Sequence, residues 1–232
     1  MQKIKKNYSY KEQLDHVLDL YEIEFKKYGY STKSLMWNKA DDNVRFKSKF
    51  DIGLLDGDSI LDVGCGFGHM LDHVNVSNFK SIKYTGVDIC PSFLKVAKER
   101  HPNADFRLLN ILESKINEKW DWVFLVGTFN IAFKESDNWT FIQDMINKMF
   151  VLSHKGVACD FLSSYVDFKK DMAYHVDPSK IFQFAKTISK RVAIKHDYMP
   201  YEFTVYIYKD DSINDKNIFK EFEATITSSI SA

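Results

Sequence analysis

The spacing of apolar residues changes along this chain, and each change marks an element. Leu14, Val17, Leu18, Tyr21 and Phe25 recur at helical spacing and Gly29 follows as a stop, predicting an amphipathic helix over 10–28. A second helix is predicted over 44–55, closed by the turn Asp56-Gly57-Asp58. Short apolar runs then predict strands over 59–63, 84–89, 105–109, 120–126 and 156–162. Helical segments lie between them: one through Met70, Leu71 and Val74, one over 91–100, and one over 138–152 with Phe141, Ile142, Met145, Ile146 and Met149 on a single face. Asp177 and Pro178 read as N-cap and first residue of a helix through Ile181, Phe182, Ala185 and Ile188. Strands over 192–196 and 203–208, joined through Pro200, predict a terminal antiparallel hairpin.

Strands separated by helices of this size need parallel pairing with right-handed crossovers. The expected fold is therefore α/β, a doubly wound, mostly parallel seven-stranded sheet with a C-terminal antiparallel hairpin strand and N-terminal helices. The 232 residues contain no repeat or low-complexity stretch, and their four prolines are scattered, so one domain is expected. It divides into a helical cap over 1–56, an α/β core over 57–209 and a polar tail over 210–232, frayed or adding one short helix. Ligands of such sheets lie across the carboxyl ends of the strands, which directs attention to the loops there.

Composition narrows the function classes. Hydrophobic residues make up 45% and charged ones 28%, an ordinary globular balance. Thirty-two basic against thirty-two acidic side chains leave no global pull toward nucleic acid or anionic lipid, so neither is expected as a partner. The segment MQKIKKNYSYKEQ starts positive without an apolar stretch behind it, which places the protein in the cytoplasm as an expectation. Cys65, Cys90 and Cys159 have neither disulfide-framework nor zinc spacing and are expected as small buried thiols, with no metal site.

Three glycines crowd into ILDVGCGFG, between a predicted strand and a predicted helix. One glycine would serve a turn, and three are costly in conformational entropy, so a ligand is expected close to the backbone. A dinucleotide loop is GxGxxG; here the spacing is GxGxG, and His69 stands where the third glycine would fall. Asp62 just ahead of the loop suits a cationic ligand end such as an ammonium better than a pyrophosphate. Asp88 ends the second strand at roughly the 20-residue separation of a ribose-binding carboxylate.

DVGCGFG followed by GVDIC resembles motifs I and II of the class I S-adenosylmethionine-dependent methyltransferases, a resemblance covering 59–162. It implies a Rossmann-like fold, S-adenosylmethionine as cofactor, and Asp62, Gly64, Cys65 and Gly66 around the methionine part. It further implies Asp88 on the ribose and Ile89 on the adenine. Asn110-Ile111 stands where the family often has Asp and an apolar residue near the adenine, and Val126-Gly127-Thr128-Phe129-Asn130 corresponds to motif IV. The flanks, with Trp37, Arg45-Phe46, GTFN, FLSSYVDF and HDYMPYEFTVYIY, resemble a small bacterial branch associated with surface-glycan and metabolite modification. Trp37, Arg45, Gly127 and Thr128 are accordingly candidate cofactor contacts, Arg45 through a guanidinium fork on the cofactor carboxylate.

Methyl transfer from a sulfonium is a direct displacement dominated by alignment, and a base is needed only where the acceptor must lose a proton. Candidate catalytic residues are His196, His175 and Asn130. His196 is the first choice as base, because imidazole takes up protons near neutrality. Thr128, Phe129, Ser163, Ser164, Tyr165, Tyr174, Asp197, Tyr198, Tyr201 and Glu202 complete the expected mouth. The chain lacks the Pro-Pro-aromatic motif of amino-methylating DNA enzymes, and Cys90-Pro91 reverses the Pro-Cys order of the cytosine C5 enzymes. A small-molecule acceptor is therefore expected, first a hydroxyl of a sugar or sugar-nucleotide precursor. The alternatives are a non-catalytic cofactor-binding partner module and an NAD(P)-dependent oxidoreductase.

Overall fold

A computed structural model describes residues 10–37, 43–134, 137–210 and 212. Of the tail expected over 210–232 only 210 and 212 are described, and the first nine residues lie outside the described residues. Helix α1 (Tyr10–Tyr28) ends at Gly29, whose φ of 61° breaks the helix. Helix α2 (Asn43–Phe50) is shorter than its sequence pattern: the chain leaves the helix in a turn in which Gly53 takes φ 110°. From there strand and helix alternate: β1 (Ser59–Val63), α3 (His69–Val76), β2 (Lys83–Asp88), α4 (Pro91–Arg100), β3 (Asp105–Leu108) and β4 (Trp120–Leu125). A short 3-10 turn, Thr128–Asn130, precedes α5 (Asn138–Leu152), β5 (Ser153–Ser163), β6 (His175–Val176), α6 (Pro178–Ile188), β7 (Val192–Lys195) and β8 (Glu202–Tyr208).

The strands form one sheet in the order β3-β2-β1-β4-β5-β8-β7. β1 to β5 pair in parallel; β8 runs antiparallel between β5 and β7, as the terminal hairpin predicts. The eighth strand, β6, was expected as loop. Leu162 of β5 pairs with Glu202 of β8 on one edge and with His175 of β6 on the other, so β6 continues the β4 edge beyond the end of β4. Winding reverses between β1 and β4, and their diverging carboxyl ends open the crevice.

Both faces of the sheet are covered. One core joins Leu61, Val123, Leu125 and Val157 to Phe141, Ile142, Met145, Ile146 and Met149 of α5 and to Ile181 and Ala185 of α6. The other joins Ile60, Trp122, Phe124 and Tyr206 to α2, α3 and α4. Asp177 caps α6 by accepting the Ser179 N–H at 2.8 Å. α1 is held across the crevice at two points. Gln13 Oε1 accepts the Lys134 N–H at 3.2 Å, and the Glu22 carboxylate accepts the Ser92 hydroxyl at 2.7 Å at the start of α4.

Ile142 is fully buried, so Ile142→Ala is expected to lower unfolding free energy by about 2–5 kcal/mol. Loss of the exposed cap in Asp177→Ala should destabilise by clearly less than that. Urea melts of both variants check the ranking.

Candidate active site

The glycine loop is built on the end of β2. Gly64 and Cys65 both donate their N–H to the Val87 carbonyl, at 2.8 and 3.0 Å, and Gly66 N–H donates to Asp88 Oδ2 at 2.8 Å. Asp88 Oδ1 accepts the Cys90 N–H, also at 2.8 Å. Gly64 takes φ 74°, and a side chain there would collide with the Thr128 hydroxyl. Bare backbone is thus required both by conformation and by the close approach of the β4 loop.

These loops wall a largely apolar cavity at the carboxyl ends of the strands. Nine of the expected cofactor residues meet on it: Trp37, Gly64, Gly66, Asp88, Ile89, Asn110, Ile111, Gly127 and Thr128. Asp88 is nearly buried, and burial raises its carboxyl above the ordinary range, against the lowering effect of its backbone hydrogen bonds. Asn110 Oδ1 accepts the Leu112 N–H at 3.1 Å, which leaves its amide N–H groups as donors toward a ligand. The α1 residues Leu14, Val17 and Tyr21 line the same cavity; the sequence offers this helix as a cap without singling out these residues. Their signal was the apolar stripe itself, which has no partner within the βα units.

Three expected cofactor residues stand elsewhere. The Arg45 fork is engaged by Glu202, with Nε to Oε2 at 2.9 Å and Nη2 to Oε1 at 2.6 Å, so it faces a protein carboxylate and not the crevice of the first cavity. The Cys65 side chain packs against the face of Gly86 in the core. Asp62 is buried beneath the loop and accepts the Tyr84 hydroxyl at 2.7 Å. Burial above all, with the Asp88 and Asp160 charges adding, pushes the Asp62 carboxyl up to about 7, so it is not the permanently anionic group that the sequence suggested.

A second, wider cavity adjoins the first and shares Tyr21, Leu35, Trp37, Gly127 and Ile131 with it. Asn130 and His175 line it together, brought there by the pairing of the β4 loop with the segment before β6, where Tyr174 N–H donates to Asn130 O at 2.9 Å. Asn130 Oδ1 is buried without a hydrogen-bond partner among the described residues. His175 Nδ1 lies 2.9 Å from the Ser163 carbonyl oxygen. A carbonyl only accepts, so the proton of the neutral ring sits on Nδ1, leaving Nε2 as the basic atom. His196 lines neither cavity: it is exposed, against Tyr165 and Phe203. Its expected strand ends one residue earlier, at Lys195. Among the described residues no three potential ligands gather for a metal, and no helix is long and apolar enough to cross a membrane.

The cavity walls fit S-adenosylmethionine: bare loop backbone, a carboxylate for ribose hydroxyls, amide donors and apolar faces for a base. Asp88→Ala is expected to weaken S-adenosylhomocysteine binding by about 1–3 kcal/mol, measured by calorimetry, because ribose hydroxyls and the Gly66 N–H lose one acceptor together. Asp62 generates a pH prediction. Its folded-state carboxyl is raised, so its contribution to stability is full below about pH 4 and lost as pH rises through about 7. Asp62→Asn keeps an acceptor for Tyr84 and should lose less stability than the wild type between pH 5 and 8, as read from urea midpoints.

Comparison with known proteins agrees with this geometry. Residues 60–149 match the family described as "Methyltransferase domain". Over 159 residues the chain is 36% identical to "Putative methyltransferase Rv1506c" of Mycobacterium tuberculosis, covering 65% of this chain and 93% of that protein. It is 35% identical over 85 residues to the malonyl-[acyl-carrier protein] O-methyltransferase of Acetivibrio thermocellus, 34% of this chain and 30% of that one. Its fold is similar to magnesium protoporphyrin IX methyltransferase from Synechocystis with bound SAH, at TM-score 0.58, 12% identity and coverage of 83% and 99%. It is also similar to the plantazolicin methyltransferase BpumL in complex with a pentazolic desmethylPZN analog and SAH, at TM-score 0.59, 15% identity and coverage of 86% and 99%. The chain belongs to the class I S-adenosylmethionine-dependent methyltransferases.

Proposed function

We propose that the enzyme methylates a hydroxyl of a small polar molecule, first a sugar or sugar-nucleotide precursor, held in the second cavity in the cytoplasm. The observation that carries this reading is the shared wall: Trp37, Gly127 and Ile131 face both cavities, and His175 and Asn130 lie on the side away from the glycine loop. Tyr28, Phe168 and Tyr201 give that cavity aromatic side chains against which a sugar can pack.

When bound, S-adenosylmethionine supplies an electrophilic methyl group on a sulfonium whose thioether leaves without needing a proton. The protein's work is on the acceptor side. His175 Nε2 takes the hydroxyl proton as the new C–O bond forms, and the Ser163 carbonyl steadies the imidazolium through Nδ1–H. Asn130 Oδ1, unpartnered, accepts a neighbouring hydroxyl and orients the acceptor. α1 closes the first cavity with Leu14, Val17 and Tyr21 and keeps water from competing.

Purified enzyme with S-adenosylmethionine and a panel of sugars and nucleotide sugars should release S-adenosylhomocysteine. His175→Gln should lower that turnover by about 10²–10⁴-fold with S-adenosylhomocysteine affinity unchanged. Activity only on acceptors lacking a hydroxyl would overturn the acceptor class. Turnover unaffected by His175→Gln would remove the base.

A further inference from the structure

The two cavities meet at the peptide of Gly127, and a completely buried ion pair stands behind it. Asp160 of β5, 1% exposed, accepts the Gly127 N–H on Oδ1 at 2.7 Å. Its other oxygen accepts from Lys49 Nζ at 3.2 Å, and Lys49 is wholly buried. The ammonium is further enclosed by the Arg45 carbonyl, Ser48 Oγ and Thr204 Oγ1 at 3.0–3.2 Å. We propose that Asp160, charge-balanced by Lys49, is a positioning residue that fixes the β4 loop between cofactor and acceptor. The inference rests on reading the two cavities as donor and acceptor sites.

An ion pair this deep is poor evidence of a stability device, since replacing both partners by apolar residues of similar volume is often neutral or stabilising. Its placement points to geometry instead. Gly127 takes φ 74° at the start of the 3-10 turn, a place where the backbone N–H has no partner within the turn, and Asp160 supplies the acceptor. On its other face Gly127 abuts the Trp37 ring, which would crowd a side chain and lies under the Arg45 guanidinium at 4.8 Å. Arg45 and Lys49 are one helical turn apart on α2, each paired with a buried carboxylate of the sheet, Glu202 and Asp160. The Gly127 peptide thus lies between Asp160 and Trp37, which α2 contacts through Lys49 and Arg45. A carboxylate acceptor makes the shorter and stronger hydrogen bond. A displacement of about 1 Å at a reacting centre is enough to cost about 10²-fold in rate.

The test compares two double variants of the full chain, Lys49→Met/Asp160→Leu and Lys49→Met/Asp160→Asn. Both remove the buried charges, and only the second keeps an acceptor for Gly127. Readouts are thermal midpoint, S-adenosylmethionine affinity by calorimetry, and the Gly127 amide resonance in labelled protein. The leucine pair is expected to fold, to shift the Gly127 amide proton upfield, and to bind S-adenosylmethionine about tenfold more weakly. The asparagine pair should recover most of that affinity. A folded leucine pair that binds like wild type overturns the proposal, as does equal loss in both variants. Should the leucine pair not fold, the wild-type Gly127 amide decides: a downfield, exchange-protected proton supports the proposal and a rapidly exchanging one overturns it. Wild-type protein that fails to bind S-adenosylmethionine would defeat the functional reading, and the amide would still judge this one.

Discussion

One carboxylate ties the first two crossovers into a single site. Asp88 accepts from Gly66 of the loop after β1 and from Cys90 of the loop after β2, while the carbonyl before it takes the N–H groups of Gly64 and Cys65. The end of β2 is thus the template on which the glycine loop is laid. The positive φ angles of Gly64 and Gly66 accompany these bonds, because a loop that turns its amides back onto a neighbouring strand leaves the usual backbone region. With both oxygens already engaged, Asp88 is held in one orientation at the cavity wall.

Charge below the loops is arranged more by burial than by pairing with solvent. Asp62, Asp88 and Asp160 are all buried under the crevice floor, and the charges of Asp88 and Asp160 add to burial in raising the Asp62 carboxyl. The cation that offsets Asp160 is Lys49, whose own charged form is disfavoured by burial first, and by Arg45, and supported by Asp160 and Glu202. Asp62 carries the remainder of the strain as a carboxyl near neutrality. A positive ligand charge above this floor favours its ionised form, so cofactor affinity and the titration of Asp62 are linked.

The cofactor half was legible because it is made of regular βα units, whose strands end at loops that sequence can locate. Periodicity placed β1, α4 and α5 to the residue, and the glycine spacing with Asp88 identified the loop ends. What sequence could not show was where charges on a short helix go. Arg45 and Lys49 have the look of a solvated face, yet both are buried, because the partners that neutralise them are 157 and 111 residues away. Asp62 was misjudged for the related reason that its neighbours, not its type, set its charge.

The acceptor half follows a different logic. β4 stops at Leu125 while β5 runs on to Ser163, leaving an open edge beyond the end of β4. The two residues of β6 fill that edge, and the chain between β5 and β6 is thereby returned to the crevice mouth. This return, not the hairpin, carries a histidine to the second cavity: His175 is in the edge pairing itself, with its ring tied to the Ser163 carbonyl, whereas His196 lies just past β7 on the outer side of β8. Two residues make no hydrophobic period, so nothing in the sequence separates such a strand from a loop. The first cavity is therefore a property of the sheet's winding, while the second is a property of one irregular connection.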